Sequence, residues 1–245
     1  MNKGYTLLEL LIAMTITIFA TLIITNFFIA EHHIYTIQEA EAEMYQTLRG
    51  SMRMFTNEVI LTGYGLPSTI QGITKFNNDE IEFRTNLRNI TSYLTSDAIP
   101  DQDILFVRNG TGKYFEKGDV IIICTDINTN KCEEHILAED GSNNNITITP
   151  SSGTSFPAGS RIDLINTISY RYNKSKKELQ RKIDRGVWEA VAENLADEGL
   201  LISYKDMDNN TTFDPSAIRR IDITLTVESF RRESATSIIT LRNYI

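Results

Sequence analysis

The hydrophobic pattern along the chain has three regimes. From Leu10 to Ala30 there are 21 residues without a formal charge. As a helix, at about 1.5 Å of rise per residue, that run reaches roughly 30 Å, the thickness of a bilayer core. Glu9 stands at its edge, where a carboxylate in lipid costs about 2.5 kcal/mol or more and therefore needs a partner. From Glu31 to Thr62 the pattern turns amphipathic. Ile34, Ile37, Ala40, Met44, Leu48, Met52, Phe55 and Val59 recur at steps of three or four and draw one stripe. No proline precedes Pro67, and Gly50 alone interrupts the stretch between Gly4 and Gly63. One continuous helix from Tyr5 to about Leu61 is predicted, roughly 85 Å long at the standard rise. Its outer stripe must lie on a folded domain. Gly63-Tyr64-Gly65-Leu66-Pro67 is the stop, with glycine where a left-handed cap fits and proline soon after.

Beyond Pro67 the period shortens to two, in runs broken by Asn, Gly, Asp and Ser. The predicted strands are Glu80–Thr85, Asp103–Arg108, Asp119–Thr125, Cys132–Leu137, Asn145–Thr149, Arg161–Tyr172, Glu178–Ile183, Leu200–Lys205, Ile218–Glu228 and Thr236–Asn243. In Ile221-Asp222-Ile223-Thr224-Leu225-Thr226-Val227 the alternation is strict, so one face is buried and the other wet. Lengths and turn spacing predict antiparallel pairing, hence an α+β fold: a long N-terminal helix packed on an antiparallel sheet domain. The chain divides into a membrane segment up to residue 30, its amphipathic continuation over 31–62, and a β-rich globular domain over 63–245.

Composition narrows the chemistry. Lys+Arg 24 against Asp+Glu 32 gives a net charge of −8, which does not advertise general binding to nucleic acid or anionic lipid. The seven basic residues from Arg171 to Arg185 suit a charged hairpin tip that resists edge pairing better than a DNA contact, since no aromatic platform is interleaved with them. His32 and His33 point about 100° apart on a helix and read as interface solvation rather than a metal or pH-sensing pair. His135 is the only other histidine, and there is no nucleophile elbow, Walker loop or Rossmann fingerprint. Nothing in the chain points to an enzyme or a tightly held cofactor. The oxygen-rich loop Asp206, Asp208, Asn210 and Asp214 has two readings: a weak calcium loop, or Asx turns without a metal. It lacks the EF-hand glycine (Thr211 stands there) and the final glutamate (Ala217).

The N terminus resembles the type IV prepilin cleavage and N-methylation motif of pilins, minor pilins and type II secretion pseudopilins. The residues that carry the likeness are a short leader with Lys3, then Gly4, the aromatic Tyr5, Thr6, and Glu9. The resemblance implies a four-residue leader removed by a prepilin peptidase between Gly4 and Tyr5, with methylation of the new Tyr5 amine. It implies a single-pass inner-membrane protein, N terminus cytoplasmic and the β domain extracytoplasmic, that later enters a pilus or pseudopilus. The flanks agree: Glu31, Glu39, Glu41 and Glu43 precede the first basic residue beyond the span, Arg49. Glu9 then has an expected partner, the cationic Tyr5 amine of a neighbouring subunit, which sets register between staggered helices. The implied partners are other minor and major pilins or pseudopilins, the peptidase, an inner-membrane assembly platform, and lipid. Where many major pilins have a helix-breaking proline in the membrane half, this chain has Asn26 and several threonines.

The last third resembles PilW-type minor pilins and J-type pseudopilins. Ile168-Ser169-Tyr170-Arg171-Tyr172 and Glu178-Leu179-Gln180-Arg181 match a strand hairpin, with Gln180 where a tyrosine is usual. Val191-Ala192-Glu193-Asn194-Leu195 matches a Glu-Asn helix, and Ile202 to Asp206 a further strand. The implied function is a minor pilin that primes a type IV pilus or sits at its tip. The alternatives are a type II secretion pseudopilin and a membrane-tethered adhesive or ligand-binding tip domain. Cys124 and Cys132 bracket a predicted turn, and in an oxidising compartment a disulfide between them is expected; the alternative is two reduced, partly buried thiols.

Overall fold

The computed structural model describes residues 6–67, 70–125, 131–228 and 232–241. Helix α1 spans Leu7–Val59. The strands follow in chain order: β1 (Ile73–Phe76), β2 (Glu80–Thr85), β3 (Thr91–Tyr93), β4 (Ile104–Phe106), β5 (Val120–Cys124) and β6 (Cys132–Leu137). Then come β7 (Asn145–Thr149), β8 (Arg161–Asn173), β9 (Glu178–Ile183), β10 (Glu189–Ala192), β11 (Leu195–Lys205), β12 (Arg220–Glu228) and β13 (Arg232–Thr240). Each described strand pair is antiparallel, so the α+β architecture is the one the pattern predicts.

The helix ends slightly before its glycine stop. The N–H groups of Leu61 and Thr62 donate three residues back, to Glu58 and Val59, and the Thr62 hydroxyl donates to the Val59 carbonyl at 2.6 Å. Those bonds tighten the last turn and end the α ladder. Gly63 (φ 75°) and Gly65 (φ 73°) then reverse the chain in the left-handed region. A methyl group at Gly65 would come within 2.7 Å of Asn86 Cβ, so this turn requires glycine on both counts.

Strand β8 is the spine of the larger sheet. Its first half pairs with β3 and β5, and its second half with β2 and β9. Ile162 and Leu164 enter one core, built mainly from β3–β7, while Ile168, Tyr170 and Tyr172 enter another. That second core joins the end of α1 to the smaller sheet, ordered β11-β12-β13. In β12 Ile221, Ile223, Leu225 and Val227 are buried as predicted, while on the opposite face Thr226 is buried too and breaks the alternation near the strand's end.

Two expectations need correction. Val191–Leu195 is not helical: β10 ends at Ala192, Asn194 takes a left-handed conformation (φ 57°), and β11 begins at Leu195. Two β-branched or small residues beside an Asx residue give a strand-turn-strand when β9 offers an edge to pair with. The outer stripe of α1 is also covered over less of its length than predicted. Burial starts at Met44; Ile37 and Ala40 are half-covered and Ile34 is exposed, because β10 and β12 reach no further along the helix.

Candidate functional site

The first end of α1 is a capping box. Thr6 is extended (φ −76°, ψ 152°), and its hydroxyl accepts the Glu9 N–H at 3.3 Å. The Glu9 carboxylate in turn accepts the Thr6 N–H at 2.8 Å and the Thr6 hydroxyl at 3.0 Å. Reciprocal bonds of this kind satisfy donors that the first helical turn leaves open, and the helix dipole favours an anion there. Glu9 is therefore held in a fixed place at the helix tip by its own chain, with Thr6 as the partner the sequence reading overlooked. The signal was present, since Thr6-x-x-Glu9 before an apolar run is a capping signature. Gly4 and Tyr5, the predicted cleavage and methylation residues, lie outside the described residues.

Beyond the cap every residue from 6 to 36 is exposed, including the apolar run from Leu10 to Ala30. The threonines in this stretch do not leave hydroxyls unsatisfied. Thr15, Thr17, Thr21 and Thr25 each donate to a carbonyl three or four residues earlier, at 2.8 Å. Asn26 apart, the segment is consequently apolar toward its surroundings in both side chains and backbone, as suits a helix in lipid or among other helices. His32 and His33 are exposed just past it.

The other end of α1 is seated by chemistry that long sequence separation hid. Phe55, fully buried, stacks on Tyr170 of β8 with ring centroids 4.2 Å apart. Glu58, one turn on, accepts the Tyr170 hydroxyl at 2.7 Å. Arg181 of β9 grips the same carboxylate with two N–H groups at 2.8 and 2.5 Å. Burial and the Glu58 carboxylate push the Tyr170 hydroxyl far above the ordinary phenol range, and Glu58 likewise raises Arg181. With both charged side chains 13–14% exposed, this bidentate pair is largely withdrawn from water and fixes the helix in rotation as well as position.

The remaining predicted sites resolve one by one. Cys124 and Cys132 face each other across β5 and β6 and form a disulfide, with Cα atoms 4.2 Å apart. In the oxygen-rich loop, Asp206 accepts the N–H groups of Asp208 and Asn210 at 2.9 and 2.8 Å. Asp214 turns away to accept from Ser216 at 2.9 Å. These carboxylates close Asx turns instead of converging, and no group of three or more His, Cys, Asp or Glu side chains suited to a metal occurs among the described residues.

Five of the seven residues of the basic segment have partners within the chain. Arg171 lies over the Trp188 ring at 4.0 Å and donates to Gln180; Arg181 pairs with Glu58; Lys174 and Lys177 pair with Asp79 and Asp197. Gln180, at the position where the resemblance expects tyrosine, is buried and accepts both Arg171 bonds.

Residues 1–25 match the family described as the prokaryotic N-terminal methylation motif. No curated protein matches the chain. The matched segment contains the whole of the capped helix tip and most of the exposed apolar run, and it supports a type IV prepilin-like protein. Together the motif and the apolar helix support leader cleavage and membrane anchoring.

Proposed function

We propose that this chain is a minor pilin of a type IV pilus, a structural subunit that primes filament assembly or sits at the tip. The observation that carries the reading is the division of one helix. Its first half is capped at Glu9 and uncovered, and its second half is bolted to a disulfide-bearing sheet domain. Such an object serves assembly by inserting its bare half among lipids or neighbouring helices while presenting the domain outside. In this reading a prepilin peptidase cuts between Gly4 and Tyr5, and the Tyr5 amine of an adjacent subunit approaches the Glu9 carboxylate. The capping box supports that step because it holds the carboxylate at the helix tip before a partner arrives, so little ordering remains to be done.

The experiment is expression with the cognate peptidase and pilus machinery, followed by mass spectrometry of the assembled fibres and of the membrane. The wild-type subunit should begin at a methylated Tyr5. Gly4→Arg should retain the leader, and Glu9→Val should be cleaved yet enter fibres poorly. Fibres containing chains that still begin at Met1, or Glu9→Val incorporated at wild-type levels, would refute the proposal. Recovery in a secretion complex instead of a pilus would assign the chain to the pseudopilins.

A further inference from the structure

Edge strands expose unpaired main-chain groups, and folds usually blunt them by shortness, bulges, charge or cover. Most edges in this molecule follow that rule. β1 and β10 are four residues long and carry register shifts, and β3 and β4 are three residues long. The outward side of β11 is covered: its Leu195 and Ile202 N–H groups donate to Lys177 and Asn78 carbonyls.

β13 breaks the rule. It is nine residues long, pairs with β12 without a bulge, and carries no charge or proline from Ser234 to Leu241. The bond from the Leu241 N–H to the Arg219 carbonyl (2.9 Å) sets the ladder's parity. By antiparallel alternation, the N–H and C=O groups of Glu233, Ala235, Ser237 and Ile239 face β12. Those of Ser234, Thr236, Ile238 and Thr240 therefore face outward, and none of them has a partner among the described residues. Ile238 is 61% exposed beside this open edge.

The helix adds a chemical preference. Thr56 of α1 donates to the Ser237 hydroxyl at 3.0 Å, which marks the flank of the helix that borders β13. Arg49 and Arg53 precede Thr56 by seven and three residues, so they stand on that flank. Both are exposed, and neither is in an ion pair among the described residues. The opposite flank, in contrast, places Glu58 on Arg181. A strand added to β13 would present alternate side chains toward α1, where two uncommitted guanidinium groups wait.

We propose that the open edge of β13 is a strand-addition site for an extended acidic segment of another polypeptide. Main-chain hydrogen bonds to Ser234, Thr236, Ile238 and Thr240 supply the ladder, and Arg49 with Arg53 selects carboxylates over cations. The surface is independent of the helix tip and does not rest on which filament the chain joins.

The test uses the purified full-length protein in detergent micelles and two capped, labelled nine-residue peptides, one alternating Glu with Val and the other Lys with Val. Binding is read by fluorescence anisotropy at about 0.15 M salt, where screening suppresses the effect of the protein's overall negative charge. The glutamate peptide should bind at least about tenfold more tightly than the lysine peptide. Methylating alternate amide nitrogens of the peptide should abolish binding without touching the protein. Thr236→Pro, which removes an outward N–H and no main-chain bond to β12, only the hydroxyl contact with Thr224, should do the same with an unchanged circular dichroism spectrum. Arg49→Glu with Arg53→Glu should reverse the charge preference. Equal affinity for the two peptides, or full binding by the amide-methylated peptide, would overturn the proposal. So would a β13-to-β13 dimer of the protein that excludes both peptides, which would make the occupant a second copy.

Discussion

Both halves of α1 carry large apolar side chains, but in opposite surroundings. In the half nearer the N terminus, Ile18, Phe19 and Phe28 are more than half exposed and belong to no packed core of the described residues. In the other half Leu48, Phe55 and Val59 are buried against two sheets, and Glu58 is gripped by Arg181 and Tyr170. Hydrophobicity alone does not fix where a residue goes. What differs is the supply of cover: the domain furnishes it from Met44 onward, and the environment must furnish it before Ile34. The division also separates labour, since substitutions in the seated half should damage the fold and substitutions in the bare half should damage insertion and assembly.

The sharpest way to break that division is at Phe55. Phe55→Ala removes a fully buried ring stacked on Tyr170 and should lower domain stability by about 3–5 kcal/mol in denaturant unfolding. A loss below 1 kcal/mol would mean that the seat is not held by this stack. Next in size is the disulfide far from the helix. Its reduction opens a short loop and should cost about 2–3 kcal/mol on the chain-entropy account. The thermal midpoint should fall on adding reductant, while membrane association stays unchanged.

Alkaline pH gives a smaller and more specific effect. The Tyr170 hydroxyl is raised in the folded state by burial and by Glu58. Its neutral form therefore contributes fully below the unfolded value of about 10, and that contribution is lost as pH rises above it. Unfolding followed from pH 9 to 11 should show a steeper loss for the wild-type chain than for Tyr170→Phe. Tyr204 is raised in the same direction, by burial first and then by Glu80, and will leave a residual slope in both proteins. The smallest expected effect lies in the bare half. Ile18→Ala should move the domain's stability by less than about 0.5 kcal/mol, as for an exposed site, while weakening membrane retention.

Much of this architecture was legible in the sequence because its signals are local. The helix, its stop, the alternating β12 and the ends of β2, β6, β7 and β9 follow from periodicity and turn residues within short windows. The strands that escaped, β1, β3 and β10, are three or four residues long, too short for alternation to register. β11 begins five residues before its predicted start because a bulge between Leu195 and Leu200 breaks its period. The Glu58–Arg181 pair spans 123 residues, and nothing in either neighbourhood announces the other. Even the predicted stripe of α1 was right in phase and too long in extent, since periodicity gives the direction of a face and not how far its cover reaches.

Removing the bare half tests the central claim most directly. A variant lacking residues 1–30 should unfold at the same temperature as the full-length protein to within about 2 °C, and remain soluble and monomeric without detergent. A midpoint lower by 10 °C or more would contradict the account, because the domain would then depend on the segment from which it is held to be independent.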